Sequence, residues 1–189
     1  MKRIVLKSSS PRRKELMEKL GYKFDIKVYP VDETMDDNKT PFENVKELSY
    51  LKASVKMEED YGSILIGCDT IVVLDDVIYG KPKDREDAFN MLKKLSGRCH
   101  KVMSGLTTIY KNMCYSIVET SKVYFKELSD DDINKYIDTG ECFGKAGAYA
   151  IQGIGKNLVD HYEGSLNNII GLPTEKLEIL VGELNEMED

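Results

Sequence analysis

The most apolar stretch of the chain, residues 63–74, limits the folds that are open to it. Its sequence, SILIGCDTIVVL, is rich in β-branched residues and almost continuously hydrophobic, and Asp75 and Asp76 follow it as a turn. Such a run predicts a strand that is buried on both faces, as in sheets that are covered by helices. We therefore expect an α/β protein that is built on a central sheet.

The rest of the chain alternates between strand and helix patterns in its first half and carries a long hairpin in its second half. The other predicted strands are 3–6, 24–28, 77–79, 100–110, 115–126 and 157–160. The predicted helices start near Pro11, Thr40 (running to about Glu59), Asp84, Ser129 and Thr174. These starts carry Ser, Thr or Asp caps, or a proline at the first helical position. Together the patterns predict one mixed α/β domain over residues 1–189.

Composition narrows the classes of partner. The formal charge of −6 disfavours a nucleic acid polymer, because binding to phosphate backbones depends on clustered Lys and Arg. The N-terminal apolar run is too short for a signal peptide, and no segment has the length of a membrane span, so we expect a cytoplasmic protein without a membrane partner. The four cysteines form no C-x-x-C, and we expect reduced, buried thiols.

The segment Ser8-Ser9-Ser10-Pro11-Arg12-Arg13 places two arginines at a helix start. Helix N-termini already carry partial positive charge, so cations are electrostatically unfavourable there. The pattern makes sense if an anion such as phosphate binds among the serine hydroxyls of Ser8 and Ser10, the free amides and the guanidinium groups. The alternative is that both arginines are solvated surface residues.

Asp69 is the strongest single candidate for a catalytic or metal-binding residue. A carboxylate inside an apolar strand is costly unless it is paired, bound to a metal or neutral. It is a candidate general base or metal ligand, and the alternative is a structural Asp bonded to a loop amide. Glu33, in the loop Asp32-Glu33, would supply a second carboxylate, and such a pair suits Mg²⁺ or Mn²⁺. Gly67 shares a face with Asp69 and leaves space for a ligand or for backbone.

Further candidates are basic or glycine-rich. Lys52, Lys81 and Lys83 are candidates for the same anion site, although each could equally be a solvated surface lysine. Residues 144–155 are dense in glycine but match neither the P-loop nor the G-x-G-x-x-G fingerprint. The glycines would permit a flat or phosphorylated ligand to approach the backbone, and Gln152 would read a base edge. Ordinary turns are the alternative.

A set of ordered motifs covers nearly the whole chain. They are Ser8-x-Ser10-Pro11-Arg12-Arg13, Asp32-Glu33, Gly67-Cys68-Asp69-Thr70, Gly80-Lys81-Pro82, Gly97-Arg98-x-His100-x-Val102, Lys145-Ala146-Gly147-Ala148-Tyr149-x-Ile151-Gln152-Gly153 and Asn168-Ile169-Ile170-Gly171-Leu172-Pro173. In this order they resemble the Maf family of nucleoside triphosphate pyrophosphatases.

The resemblance implies an elongated, two-lobed α/β sheet with flanking helices, similar to the inosine triphosphatase architecture, and an active cleft between the lobes. It implies hydrolysis of a nucleoside triphosphate to the monophosphate and pyrophosphate, with a divalent metal as cofactor. Asp69 would then be the proton acceptor, and Glu33 and Asp69 would hold the metal.

By the same resemblance, Arg13, Lys52 and Lys81 would bind the triphosphate together with Ser8 and Ser10. Arg12, Thr70 and Gln152 match positions that are associated with substrate choice. Threonine after the catalytic Asp, with Gln152 present, resembles the branch that acts on dTTP and UTP, which suggests a house-cleaning role on modified pyrimidine triphosphates.

Three further expectations remain open at this point. The same reaction on 7-methyl-GTP or another modified purine nucleotide is one alternative activity. A nucleotide-binding regulator, for example of septum formation, is another, although a pure binder has no need of a carboxylate such as Asp69. Homodimerisation is an expectation from the family alone.

Overall fold

The computed structural model describes residues 1–187, and these contain a seven-stranded sheet flanked by helices. The strands are β1 (Ile4–Leu6), β2 (Phe24–Ile26), β3 (Ile64–Leu74), β4 (Val77–Tyr79), β5 (Cys99–Tyr110), β6 (Met113–Phe125) and β7 (Val159–Glu163). Their order in the sheet is β2-β1-β3-β5-β6-β7, and β4 pairs with β3. This is the mixed α/β class that the sequence predicts.

The helices are α1 (Pro11–Lys19), α2 (Pro41–Ser54), α3 (Arg85–Leu95), α4 (Asp130–Asp138), α5 (Leu166–Ile170) and α6 (Thr174–Glu186). Side chains cap four of them as the sequence predicts, and the caps of α2 and α4 are complete capping boxes. The capping residues are Ser10, Thr40, Asp84 and Ser129. Caps are predictable because the cap and the amide it satisfies lie within three residues of each other.

The chain divides into two compact units, and both are discontinuous in sequence. Unit 1 consists of residues 1–69, residues 104–119 and the chain from Gly171 onward. Unit 2 consists of residues 70–103 and 120–170. The assignment of residues 1–189 to one domain, and of the active cleft to a place between two lobes, stays a prediction.

Unit 1 contains two parallel strand pairs of the sheet. β1 pairs in parallel with β2, with Ile4 opposite Phe24, and with β3, with Ile4 opposite Ile64. Because the strands are parallel, the segments that leave the carboxyl ends of β1 and β2 start from the same edge of the sheet. These two segments contain Ser8 and Glu33.

Unit 2 has a hydrophobic core of its own. Most of its buried members come from β3, β6, α3, α4 and the glycine-rich segment, and they include Val72, Leu92, Phe125, Ile133 and Tyr149. β3 and β4 form an antiparallel hairpin across Asp75 and Asp76, whose φ angles of 52° and 60° suit a tight turn.

The structure corrects the bounds of two predicted elements and the predicted burial of two cysteines. The helix α2 ends at Ser54 instead of near Glu59, because the backbone leaves the helical conformation at Val55, with ψ of 124°, and Lys56 follows with a left-handed φ of 49°. The late strand runs over Val159–Glu163 instead of 157–160, because residues 153–158 form a 3₁₀ helix. The thiols of Cys99 and Cys114 are exposed, whereas those of Cys68 and Cys142 are buried, and all four are free.

Candidate active site

Asp69 lies on β3 and is 8% exposed. Its carboxylate oxygen Oδ1 lies 2.6 Å from the Nζ atom of Lys52, which extends from the last turn of α2. The buried negative charge is therefore balanced by an ammonium group and not by a loop amide. Among residues 1–187 no group donates a hydrogen bond to the second oxygen, Oδ2.

Glu33 meets the same ammonium group. Its Oε1 atom lies 3.0 Å from Nζ of Lys52, and its side chain is 55% exposed. We call Glu33, Lys52 and Asp69 the Lys52 cluster. One ammonium group thus bridges a solvent-facing carboxylate and a buried carboxylate within unit 1.

Two glycines allow α2 to approach the sheet closely enough for this bridge. A Cβ atom on Gly67 of β3 would lie 2.3 Å from the Ser49 carbonyl oxygen and 2.4 Å from the Ala53 amide nitrogen. On Gly105 of β5, a Cβ atom would lie 2.2 Å from the carbonyl oxygen of Val45. The space beside Gly67 is therefore filled by helix backbone, which was one of the two interpretations that the sequence left open.

The N-terminal anion motif is held in place by the protein itself. Ser10 caps α1 by accepting from the amide of Arg13 at 3.4 Å. The Oγ atom of Ser8 accepts from the Ser10 amide at 3.2 Å and from Nη1 of Arg13 at 3.1 Å. Nε of Arg13 donates to the Gly171 carbonyl oxygen at 2.7 Å. Arg13 is thus a fixed, half-buried group, and the interpretation as a solvated surface arginine is wrong for it.

Arg12 is half-buried in the first turn of α1. Thr70 follows Asp69 on β3, is half-buried and belongs to unit 2. Also in unit 2, Lys81 is exposed in the loop before α3, and Gln152 is half-buried just before the 3₁₀ helix Gly153–Leu158. Across residues 1–187, the side chains of Lys81 and Gln152 have no ion pair or hydrogen bond, so their roles stay predictions.

The structure therefore brings together two groups of the predicted residues in unit 1. One group is the Lys52 cluster, and the other contains Ser8, Ser10 and Arg13. No hydrogen bond or ion pair within the described part of unit 2 joins Lys81 to Gln152.

Three of the four glycines in residues 144–155 face the protein's own atoms, whereas a Cβ on Gly144 would meet nothing within 4 Å. A Cβ on Gly147 would lie 2.9 Å from Cγ2 of Val72, and one on Gly153 would lie 2.2 Å from Oε1 of Glu141. One on Gly155 would lie 2.0 Å from the Ala150 carbonyl oxygen. Close packing accounts for these three glycines without a ligand. Glu141 was not predicted as a site residue. The density of glycines in residues 144–155 was the one feature of the sequence that pointed to a close contact there.

A second buried ion pair lies next to the anion motif. The Nζ atom of Lys7, whose side chain is 1% exposed, lies 3.4 Å from Oδ2 of Asp60, whose side chain is fully buried. Nζ of Lys27 lies 2.7 Å from the other oxygen of Asp60. Burial alone would raise the pKa of Asp60, but the hydrogen bonds from Lys27 and Lys7 outweigh it, so the pKa lies below its ordinary value. The pair holds the residue before Ser8 in place.

His100, from the Gly97-Arg98-x-His100 motif, is a buried structural residue of unit 2. Its Nε2 atom lies 2.7 Å from the hydroxyl oxygen of Tyr149, and its ring meets Phe125 edge-on. Burial lowers the pKa of His100 to about 4 and raises that of Tyr149. The imidazole is therefore neutral at neutral pH.

In the part of the chain that the structure describes, no helix has the length and hydrophobicity that crossing a membrane requires.

The fold is that of an open-sheet α/β protein of the Ham1 kind. The chain is similar to the solved structure of the Staphylococcus aureus Ham1 protein, with a TM-score of 0.52 and 17% identity, over 97% of this chain and 98% of that one. At that identity the likeness defines the fold alone.

Sequence comparison identifies the family. The model of the Maf family, described as Maf-like protein, matches residues 3–184. The dTTP/UTP pyrophosphatase of Ruminiclostridium cellulolyticum is 44% identical over 98% of each chain. The dTTP/UTP pyrophosphatase of a Thermoanaerobacter species is 48% identical over 93% of each chain. The chain belongs to the Maf family, which confirms the resemblance that its motifs indicate.

Proposed function

We propose that this protein hydrolyses dTTP and UTP to the nucleoside monophosphate and pyrophosphate. The names of the relatives supply the substrate class, since those at 44% and 48% identity are both dTTP/UTP pyrophosphatases. The observation in this molecule that carries the proposal is the Lys52 cluster, in which an ammonium group holds a buried carboxylate at 2.6 Å. Phosphoryl-type transfer needs positioned cations and a base for water, and the cluster provides both.

Asp69 is the proposed base. Its Oδ1 is paired with Lys52, whereas Oδ2 has no donor among residues 1–187 and is free to accept a proton from water. The water oxygen then forms a bond to the α-phosphorus, and the bond from that phosphorus to the oxygen bridging to the β-phosphorus breaks. Pyrophosphate leaves with the electron pair of that bond, and Asp69 retains the proton until solvent removes it.

The cations of the site would bind the triphosphate. Arg13 is held by the Gly171 carbonyl and by Ser8, so its guanidinium group loses little further freedom when it meets an anion. The hydroxyls of Ser8 and Ser10 and the start of α1 would add hydrogen-bond donors. Lys52 would offset negative charge next to Asp69, and Lys81 would contribute a further cation.

A divalent cation is a general requirement suggested by the family, and the residues of the Lys52 cluster fit one. Glu33 and Asp69 already converge on one positive charge, the Lys52 ammonium group. Mg²⁺ is typically held by one or two carboxylates together with substrate phosphates and water, and Mn²⁺ accepts the same oxygen ligands. Glu33 and Asp69 would therefore hold Mg²⁺ or Mn²⁺. When bound, such a cation neutralises the charge of the phosphate oxygens.

Substrate choice would depend on Arg12, Thr70 and Gln152. A glutamine side chain offers both a donor and an acceptor, so it can pair with the edge of a pyrimidine ring. Modified pyrimidine triphosphates would be the substrates in a house-cleaning role.

A nucleotide panel tests the proposal. Pyrophosphate release is measured with dTTP, UTP, CTP, dATP, GTP and 7-methyl-GTP, each with Mg²⁺, with Mn²⁺ and with chelator. We expect the highest kcat/KM for dTTP and UTP, and loss of activity with chelator. A strong preference for a purine nucleotide would refute the pyrimidine assignment.

Asp69→Asn tests the base. We expect kcat to fall by about 10²–10⁴-fold, the usual contribution of a general base, while nucleotide binding persists. The matched control is Asp76→Asn, which makes the same change at an exposed turn residue with φ of 60°, a conformation that asparagine adopts readily. Full turnover in Asp69→Asn would show that the base is another group. A wild-type protein that binds nucleotide without turnover would favour the alternative function, a nucleotide-binding regulator.

A further inference from the structure

The carboxylate of Glu141 in unit 2 accepts three hydrogen bonds. Oε1 accepts from the Ile154 amide at 3.0 Å, and Oε2 accepts from the Gly155 amide at 2.7 Å and from the Tyr136 hydroxyl at 2.8 Å. An ionised carboxylate suits this set because it only accepts hydrogen bonds. Amide groups that approach a carboxylate also form shorter and stronger bonds than those that approach a neutral acceptor.

The hydroxyl of Tyr136 extends the same network to the other end of the loop. Its oxygen accepts from the Ala150 amide at 3.3 Å while it donates to Glu141. Tyr136 itself is a buried residue of α4, so its ring is fixed by the core of unit 2. Two side chains therefore hold the backbone at residue 150 and at residues 154–155.

Gly153 and Gly155 leave the space that this hydrogen-bond network needs. Gly153 has φ of 69°, and a Cβ atom on it would lie 2.2 Å from Oε1 of Glu141. A Cβ atom on Gly155 would lie 2.9 Å from the Tyr136 hydroxyl oxygen. The loop is thus shaped to bring its backbone against the Glu141 carboxylate, and a side chain at either position would prevent this.

Gln152 lies between the two held points. Its backbone is extended, with φ of −80° and ψ of 161°, and its half-buried side chain has no hydrogen-bond partner among residues 1–187. The direction of this side chain is set by the backbone on both sides of it, and that backbone is set by Glu141 and Tyr136.

We propose that Glu141, acting with Tyr136, is a positioning residue that presents Gln152 to the nucleobase and so sets base selectivity. This inference rests on the proposed function, because it assigns to Gln152 the reading of a pyrimidine. It adds a residue that does not touch substrate and acts through the loop 150–155.

Glu141→Gln is the decisive variant because it keeps the shape of the side chain. One of its two acceptors becomes an NH₂ group that faces a backbone N–H, so one end of the loop loses its hold. We expect KM for dTTP and UTP to rise at least tenfold, and the ratio of kcat/KM for dTTP over CTP to fall at least fivefold. Tyr136→Phe, which removes only the hydroxyl, is expected to change both values in the same direction by a smaller factor.

Inorganic tripolyphosphate serves as a probe without a base. Its inhibition constant is expected to stay within twofold of wild type in Glu141→Gln, because the proposed phosphate-binding residues Ser8, Arg13 and Lys52 are unchanged. Glu127→Gln is the matched control, since Glu127 is exposed in the same unit and makes no ion pair or hydrogen bond in the described chain. It should retain wild-type values throughout.

Two results would overturn the inference. Unchanged selectivity in Glu141→Gln would show that the loop does not depend on the carboxylate. An equal loss of affinity for dTTP, CTP and tripolyphosphate would show that Glu141 supports the fold in general. If Glu141→Gln does not fold, Tyr136→Phe is tested by the same two criteria. A wild type without pyrophosphate release would instead overturn the proposed function itself, so the two failures are distinguishable.

Discussion

Gly67→Ala tests whether the close approach of α2 to the sheet maintains the Lys52 cluster. The new Cβ atom would lie 2.3 Å from the Ser49 carbonyl oxygen, 2.4 Å from the Ala53 amide nitrogen and 2.8 Å from the Ala53 Cα atom. All three are backbone atoms, so no side chain can rotate away to make room. Ordinary contact begins near 3.4 Å, so the helix must move away by roughly 1 Å.

Two opposing effects determine the size of the stability change. Overpacking of this kind costs about 1–3 kcal/mol, and contacts with immovable backbone place Gly67→Ala near the upper end. Replacing glycine by alanine also restricts the unfolded chain, which returns about 0.4–1 kcal/mol. We therefore expect the free energy of unfolding to fall by about 2 kcal/mol.

The same shift should impair activity. Lys52 lies between Ser49 and Ala53 on α2, so a displacement of this turn lengthens the 2.6 Å contact between Lys52 and Asp69. We expect kcat/KM for dTTP to fall at least tenfold, because a misplacement of about 1 Å in a catalytic group can cost a factor of about 10².

The measurements are urea unfolding followed by circular dichroism, and pyrophosphate release. Gly182→Ala is the matched control, since nothing lies within 4 Å of a Cβ at Gly182 in α6. Because alanine is the better helix former, this variant should gain about 1 kcal/mol and keep its activity. Full stability in Gly67→Ala would refute the steric argument. Full activity in a destabilised variant would refute the link between α2 and the cluster.

Two further predictions concern buried ionisable groups. The pKa of His100 is about 4 in the folded protein and 6.5 in the unfolded chain, so stability is fully present above pH 6.5 and falls as the pH drops towards 4. Between pH 8 and pH 5 the loss of unfolding free energy from this group amounts to about 2 kcal/mol. Urea titrations of the wild type and of His100→Gln should show that the variant lacks this loss. Equal pH dependence of the two proteins would contradict the prediction. Asp60→Asn leaves the Lys7 ammonium group buried without its carboxylate and should cost about 3–5 kcal/mol by thermal unfolding. Lys7→Met added to Asp60→Asn should restore part of this loss, and an unchanged melting temperature in the single variant would refute the pairing.

The parts of the fold that sequence predicts well are those with local causes. Ser10, Thr40 and Ser129 cap helices that begin where the sequence indicates, because each cap depends on residues within one turn. The end of α2 was mispredicted because no glycine or proline marks it. There Lys56 adopts positive φ with its ammonium group over the ring of Tyr29, a contact between residues far apart in sequence.

The same distinction between local and long-range causes applies to the candidate site. Asp69 could be singled out from sequence because a carboxylate within an apolar strand needs a partner wherever the strand lies. That the partner is Lys52 follows from how two glycines bring α2 to the sheet, which is a tertiary fact. No pattern near Glu141 in the sequence indicated its role, because its carboxylate oxygens accept hydrogen bonds from amides thirteen and fourteen residues away.

The discontinuity of unit 1 has a consequence for the order in which a ribosome can complete the protein. All residues of unit 2 have been synthesised before Gly171, whereas unit 1 then still lacks α6, with its buried Leu177, Val181 and Leu184. It also lacks the carbonyl group that Nε of Arg13 binds at 2.7 Å. Arg13 is made 158 residues before Gly171, so this hydrogen bond cannot form until Gly171 has been translated. A nascent chain halted before Gly171 can therefore contain every residue of unit 2 but cannot contain the finished N-terminal motif.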